Sequence, residues 1–402
     1  MVVKRKVATE ITETCLLMQE YIQSFTGELL GTFILVFFGI SAVAVTVLFS
    51  ALSGLFQVAI VWGIGVLLAI YSTRHLSCAH LNPAVSLGMV LAGRMPFRKL
   101  PVYWLAQLVG AFLAAVVLYL FFAGSIASFE QVHHLVRGNP DSLRTAMIFA
   151  DYFPNPGVPA NIALVTPFLA FLVEALGTLL LVTTIFMLTE GCNVGGPPSS
   201  IAPILIGLTV TVLISALAPL TMAGINPARD FGPRLFAYLA GWGRIAIPGP
   251  SGGFFTVYVL GPLVGGAIAA LLFTQALEPL MKGVRLTCTC QEIISGSEAG
   301  LSASPNLREE PYLAGGNGLK ILVFGSTPPC ATCTRAEQEA LQAAQRFPAG
   351  WVRVEKHDAQ SAVARSYGVN MTPTVIVGDK KFVGKIVSDQ ELIKVINDLL
   401  HL

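Results

Sequence analysis

Long apolar stretches fill the first 280 residues, and polar residues gather between them. A helix that crosses a bilayer needs roughly 20 mostly apolar residues. Six segments reach that length: about 22–48, 55–73, 101–123, 163–188, 201–220 and 254–276. Two shorter apolar runs open at Asn82 and Asn226, after the second and fifth of these. Each is about 12 residues long, too short to cross, which predicts half-helices that dip into a membrane. After Leu280 the apolar period is lost, and residues 283–317 are rich in Gly, Ser, Ala and acids, the composition of a flexible linker. From residue 318 the pattern is that of a small α/β domain. It predicts strands at Ile321–Gly325, Trp351–Val354, Thr374–Val377 and around Lys381–Gly384, with helices from Cys330, near Ala359–Tyr367 and from Asp389.

The apolar region is repeated. GELLGTFILVFFG (Gly27–Gly39) is followed by HLNPAVSLG (His80–Gly88); VEALGTLLLVTTI (Val173–Ile185) is followed by GINPARDFG (Gly224–Gly232). Three spans and a half-helix make an odd number of crossings, so the two copies insert with opposite orientation. In transport proteins built this way the pathway lies at the repeat interface.

Composition supports a lipid-solvated chain: 54% of residues are hydrophobic, 12% charged, and mean hydropathy is +0.70. The net charge of +2 and the lack of a long basic run give no sign of a nucleic-acid partner. The basic N-terminus leads straight into the first apolar run without a small-residue cleavage site, so that run is expected to stay as a span. Lys4, Arg5, Lys6, Arg74, Arg94, Arg98, Lys99, Lys282 and Arg285 fall on one side under this topology, which predicts both termini in the cytoplasm, at the plasma membrane. The predicted organisation is a cytoplasmic segment 1–20, a channel-like domain 21–282, the linker 283–317 and the α/β domain 318–402.

Each Asn-Pro-Ala has a physical reading. Proline suits the first turn of a helix, where its missing N–H would be unpaired anyway. Asn82 and Asn226 can cap the helices that Pro83–Ala84 and Pro227–Ala228 begin, and each amide keeps an N–H for the pore. Two such helices meeting end to end bring two positive dipole ends to the pore centre, where a neutral hydroxyl can bind as acceptor and cations are repelled.

On these motifs, HLNPAVS and GINPARDFGPR, residues 20–280 resemble the major intrinsic protein family of aquaporins and glycerol facilitators. Aquaporin-type pores exclude cations and protons by the same device. The resemblance implies that Glu28 and Glu174 hydrogen-bond the re-entrant loops, with a proton-relay carboxylate as the alternative. It makes His80 a pore-lining hydrogen-bonder and suggests a homotetramer with one pore per protomer. Asp230, Arg234, Pro262 and Leu263, with WGIGVLLAIY (Trp62–Tyr71) and NPARDFGPRLFAYLAGWG (Asn226–Gly243), resemble the glyceroporin branch. The narrowest ring of the family maps onto Trp62, Ile214, Ala223 and Arg229. The bacterial glycerol facilitator has Gly and Phe in place of Ile214 and Ala223. The ring here looks more like that of plant nodulin-26-like channels, a group that passes glycerol, water, ammonia and, in some members, metalloid hydroxides. Passive conduction is expected, since the sequence contains no nucleotide-binding motif.

The tail carries PPCATC (Pro328–Cys333) between a predicted strand and helix, and MTPT (Met371–Thr374) before another strand. A helix N-terminus lowers the pKa of the first thiol, which makes Cys330 the attacking thiolate and Cys333 the resolving one. This order resembles the thioredoxin superfamily, which implies a cis-proline at Pro373 beside the cysteines and a reduced first strand–helix unit. A thiol reductant in the cytoplasm is the partner implied. A zinc pair or an inactive scaffold are alternatives. Cys288 and Cys290 lie within reach of Cys330 for disulfide exchange, or are plain solvated thiols; Cys78 sits near the cytoplasmic mouth, and Cys15 and Cys192 carry no assignment. No cofactor or resident metal is expected. The fold class expected is an all-α membrane protein, six transmembrane helices plus two re-entrant half-helices in an inverted repeat, followed by a small α/β thioredoxin-like domain. Two further functions stay open: a reductase acting on the imported solute, such as a metalloid species or hydrogen peroxide, and a redox-gated channel.

Overall fold

The computed structural model describes residues 2–159, 164–190, 193, 196–283, 319–325, 331–348, 351–359, 361–369, 372–384 and 386–400. Contacts divide the chain into two units, a helical one up to Pro279 and a smaller one beyond it.

The helical unit contains α1 (Val2–Phe49), α2 (Leu55–Ser77), α3 (Pro83–Leu91), α4 (Leu100–Val132), α5 (Leu143–Ala146), α6 (Pro167–Thr189), α7 (Ala202–Thr221), α8 (Pro227–Ala237), α9 (Gly261–Leu272) and α10 (Glu278–Gly283). Among the described residues, six segments are long and apolar enough to cross a membrane: Leu17–Phe49, Leu55–Ser77, Phe97–Val132, Pro167–Thr189, Ala202–Thr221 and Phe255–Met281. Their outward faces are apolar, with Leu120, Phe121, Phe168 and Val212 largely exposed, a surface that water does not favour.

Two spans are longer than the apolar pattern predicts. No Gly or Pro precedes Gly27, so α1 runs unbroken from Val2 through the polar segment. α4 also outlasts its apolar pattern, continuing nine residues past 123 through GSIASFEQ to Val132, with Gly124 inside the helix. The last span is interrupted by π-helical turns at Phe255–Leu260 and Phe273–Leu277. Pro262 has no N–H to offer the Tyr258 carbonyl, and the first π turn precedes it.

The inverted repeat is built on close backbone contacts. A Cβ added at Gly110 of α4 would meet the Leu29 carbonyl oxygen of α1 at 2.3 Å; one at Gly265 of α9 would meet the Ala175 carbonyl oxygen of α6 at 2.1 Å. Leu29 and Ala175 directly follow the repeated glutamates, so the two contacts are equivalent. Small residues at helix crossings are what allows apolar helices to pack without a hydrophobic driving force.

The smaller unit has a four-stranded sheet of order β2-β1-β3-β4: β1 (Leu319–Gly325), β2 (Val352–Asp358), β3 (Thr374–Val377) and β4 (Lys380–Val383). β1 pairs parallel to β2 and antiparallel to β3, which pairs antiparallel to β4. Alternation along β1 sorts the two cores. Leu319, Ile321 and Val323 pack with Ala336 and Ala340 of α11 (Ala331–Ala344) and Leu392 and Ile396 of α13 (Asp389–Leu400). Leu322 and Phe324 pack on the other face with Ala364 of α12 (Ala362–Ser366). The predicted strands and helices of this domain are all present, with ends shifted by a few residues.

Candidate functional site

The two half-helices begin as the Asn-Pro-Ala chemistry requires. Asn82 Oδ1 accepts from Ala84 N at 2.9 Å, and Asn226 Oδ1 accepts from Ala228 N at 3.0 Å and Arg229 N at 3.2 Å. Each amide nitrogen then reaches across. Asn82 Nδ2 donates to the Ile225 carbonyl and Asn226 Nδ2 to the Leu81 carbonyl, both at 2.9 Å. One N–H of each amide fixes the opposite loop, and a second remains on each nitrogen. Pro83, Ala84, Pro227 and Ala228 are buried behind the two amides.

The loops that deliver the half-helices share one unusual backbone. Cys78, Ala79 and Leu81 have φ of 70°, 52° and 54°; Met222, Ala223 and Ile225, at the equivalent places before Asn226, have 64°, 57° and 42°. Non-glycine residues in this region are unfavourable by about 1 kcal/mol or more each and persist only when their surroundings hold them. The glutamates do the holding. Glu28 accepts from His80 N at 2.9 Å, Leu81 N at 2.7 Å and Gln107 Nε2 at 2.7 Å. Glu174 accepts from Gly224 N at 3.0 Å, Ile225 N at 2.6 Å and Thr221 Oγ1 at 2.6 Å. Tyr103 and Tyr258 donate their hydroxyls to the Ser77 and Thr221 carbonyls, one per repeat. Gln107, Thr221 and the two tyrosines were not read from the sequence; Tyr103 and Tyr258 follow their asparagines at different distances, so the repeat alone does not mark them.

Of the four residues expected to form the narrowest ring, Trp62 and Arg229 meet: the guanidinium carbon lies 4.3 Å from the indole centroid. Trp62 is packed on Gly39 of α1, where a Cβ would fall 2.1 Å from the indole. Ile214 lies near the end of α7 and Ala223 in the loop before α8, both buried. Arg229 Nη1 donates to Asp151 Oδ2, a partner not read from the sequence. Asp230 does not face the same arginine. Its two oxygens take Arg234 Nε and Nη2 at 2.8 Å each, and Oδ1 also accepts Asp151 N at 2.8 Å. His80 Nδ1 lies 3.2 Å from Ser86 Oγ, and its ring centroid is 4.9 Å from that of Tyr103.

In the smaller unit, Cys333 is buried in the first turn of α11, and a Cβ at Gly325, the end of β1, would lie 3.2 Å from the Cys333 Cβ. The Thr372–Pro373 peptide is cis, directly before β3, and Gly384 N donates to the Pro373 carbonyl at 2.8 Å. Cys330, Cys288, Cys290 and Cys192 lie outside the described residues.

Residues 16–273 match the family model of the major intrinsic protein, and residues 319–397 match that of a thioredoxin domain. A glycerol uptake facilitator protein of Pseudomonas aeruginosa is 43% identical over 245 residues, 61% of this chain and 85% of that protein. A propanediol uptake facilitator of Citrobacter freundii is 38% identical over 267 residues, 66% of this chain and 94% of the relative. The X-ray structure of the aquaglyceroporin from Plasmodium falciparum superposes with a TM-score of 0.56 at 26% identity, over 65% of this chain and 98% of that one. With two crossed asparagine amides, two loop-holding glutamates and a family match over most of its length, the chain belongs to the major intrinsic protein family and is a multi-pass membrane protein with a thioredoxin-like domain at its C-terminal end.

Proposed function

We propose that residues 21–282 form a passive channel for small uncharged solutes, glycerol and water first, with metalloid hydroxides and hydrogen peroxide as further candidates. The observation that carries this reading is the reciprocal pair of bonds from Asn82 Nδ2 to Ile225 O and Asn226 Nδ2 to Leu81 O. It joins the two half-helix N-termini, each with an amide donor left over for a passing oxygen, while the dipole ends disfavour cations. In this reading Trp62 is the apolar wall along which a carbon backbone slides. Ile214 and Ala223 set the width, and Arg229 supplies fixed donors.

Both termini are assigned to the cytoplasm. In support, Lys99 pairs with Glu20 at 2.5 Å, Arg94 pairs with Glu190 and Glu278, and Arg74 Nη1 donates to the Ser199 carbonyl, so these cations gather at one end of the bundle. A homotetramer in the plasma membrane is part of the same reading. Stopped-flow light scattering of proteoliposomes under sucrose, glycerol and arsenite gradients tests the reading. Fast glycerol entry is expected, and a vesicle that passes water alone would overturn the glyceroporin assignment.

For the tail, residues 318–402 after a linker 283–317, the reading is a dithiol domain with Cys330 as attacking and Cys333 as resolving thiol, served by a cytoplasmic thiol reductant. The buried place of Cys333 at the start of α11 supports it, as does the thioredoxin match. Cys330→Ser separates reduction of the imported solute from gating: the first predicts unchanged permeability with lost reduction, the second altered permeability. A variant that changes neither leaves the tail a passive module.

A further inference from the structure

Arg229 stands in the first turn of α8, where the helix end adds its own positive potential and the N-terminal end of α3 adds another. A buried guanidinium at such a place is an anion site unless something answers its charge. Among the described residues one carboxylate does so. Asp151 Oδ2 accepts from Arg229 Nη1, and the two side chains are 0% and 8% exposed. The neighbouring carboxylates are committed elsewhere, Asp230 to Arg234 and Glu174 to the loop amides Gly224 N and Ile225 N.

The place of Asp151 is built from several sides. Its N–H donates to Asp230 Oδ1 at 2.8 Å, and its carbonyl accepts from Arg234 Nη2. The Asp230–Arg234 pair thus clamps the Asp151 backbone on both sides. Its carboxylate occupies the space left by Gly224, where a Cβ would fall 2.9 Å from Oδ2. Gly224 and His80 are equivalent in the repeat, each two residues before its Asn, so where the first half carries an imidazole the second leaves room for the Asp151 carboxylate. Asp151 Oδ1 is buried with no hydrogen-bond partner among the described residues, which leaves Arg229 as the cation hydrogen-bonded to the carboxylate.

We propose that Asp151 is a specificity-determining residue of this pore: it neutralises Arg229, so that the constriction passes neutral solutes without binding small anions. The proposal rests on the channel reading above.

The test is glycerol entry into proteoliposomes holding the full chain, in potassium gluconate, chloride and nitrate at equal concentration. The wild type is expected to conduct alike in all three. Asp151→Asn leaves the guanidinium unanswered, and its glycerol rate is expected to fall about tenfold in nitrate and chloride relative to gluconate. Asp151→Glu restores the negative charge and the indifference to salt. If Asp151→Asn conducts in no salt, the double variant Asp151→Asn/Arg229→Gln decides. Removing both members of a buried pair is far less damaging than removing one, so conduction is expected to return. Equal rates of Asp151→Asn in the three salts, or a silent double variant, overturn the proposal. A wild type that passes no glycerol in any salt brings down the channel reading itself, and that failure is seen before any variant is compared.

Discussion

Gly63 of α2 and Gly207 of α7 face one another so closely that a Cβ on either would fall 2.5 Å from the other's carbonyl oxygen. Each lies 19 residues before its Asn, so the two repeats meet here at equivalent residues. The Cβ of Gly63 would also lie 2.0 Å from Thr211 Oγ1.

That contact has no room for a methyl group. Gly63→Ala is expected to force α2 and α7 apart and to destabilise the protein by about 1–3 kcal/mol, as overpacking does. Thermal unfolding in detergent, followed by size-exclusion chromatography, measures it. Gly124→Ala, with nothing within 4 Å of the new Cβ, is the control and is expected to be neutral or slightly stabilising.

Glu174 satisfies two buried backbone amides and a hydroxyl. Glu174→Ala orphans all three, at about 1–3 kcal/mol for each buried donor. The left-handed residues Met222, Ala223 and Ile225 are then expected to relax. Hydrogen exchange of the 221–226 segment should rise sharply, and glycerol flux should fall with it. Glu174→Gln keeps one acceptor oxygen and should lie between; protection unchanged in the Ala variant would show that the carboxylate does not hold the loop.

Ring width is tested at Ala223. Ala223→Phe adds an aromatic ring at the proposed constriction, and glycerol permeation is expected to drop at least about tenfold while water permeation drops less, since the narrowing acts through cross-section. Ile214→Gly is expected to widen the proposed ring and favour larger polyols, with a helix penalty of about 1 kcal/mol. Parallel water and glycerol measurements on both variants decide whether these two side chains set the width.

In the smaller unit, Lys320 Nζ lies 2.8 Å from Glu355 Oε1 across the β1–β2 pair. Its hydrogen bond holds the Glu355 carboxyl below the usual carboxylate range. A depressed folded pKa means that the unfolded chain binds more protons at acid pH. The pair therefore stabilises above the ordinary Glu range, and that stabilisation is lost as pH falls through the depressed value. Both groups are exposed, so the effect is small. In the full chain, exchange protection of the β1 and β2 peptides should weaken in acid, and Lys320→Met should flatten that dependence.

The periodicity of the sequence determined the six spans, the two half-helices, the repeat and the succession of strands along the tail, but not their order in the sheet. Hydrophobic length and period are local properties, and a bilayer or a sheet face enforces them segment by segment. Asn82 and Asn226 were legible because capping is a contact within one turn, and Glu28 and Glu174 because they recur at matching places in the repeat. The polar extensions of α1 and α4 were not, since apolar length marks where lipid begins and not where a helix stops. Asp151 was invisible too. It lies 78 residues from Arg229, in a loop with no period, and its role exists only because Gly224 vacates a space and Asp230 with Arg234 pins the backbone there. The sequence by itself therefore specified the scaffold of the pore and the positions of its donors. Tertiary structure alone decided which charge answers the arginine, because that pairing depends on through-space distances between segments that share no local pattern.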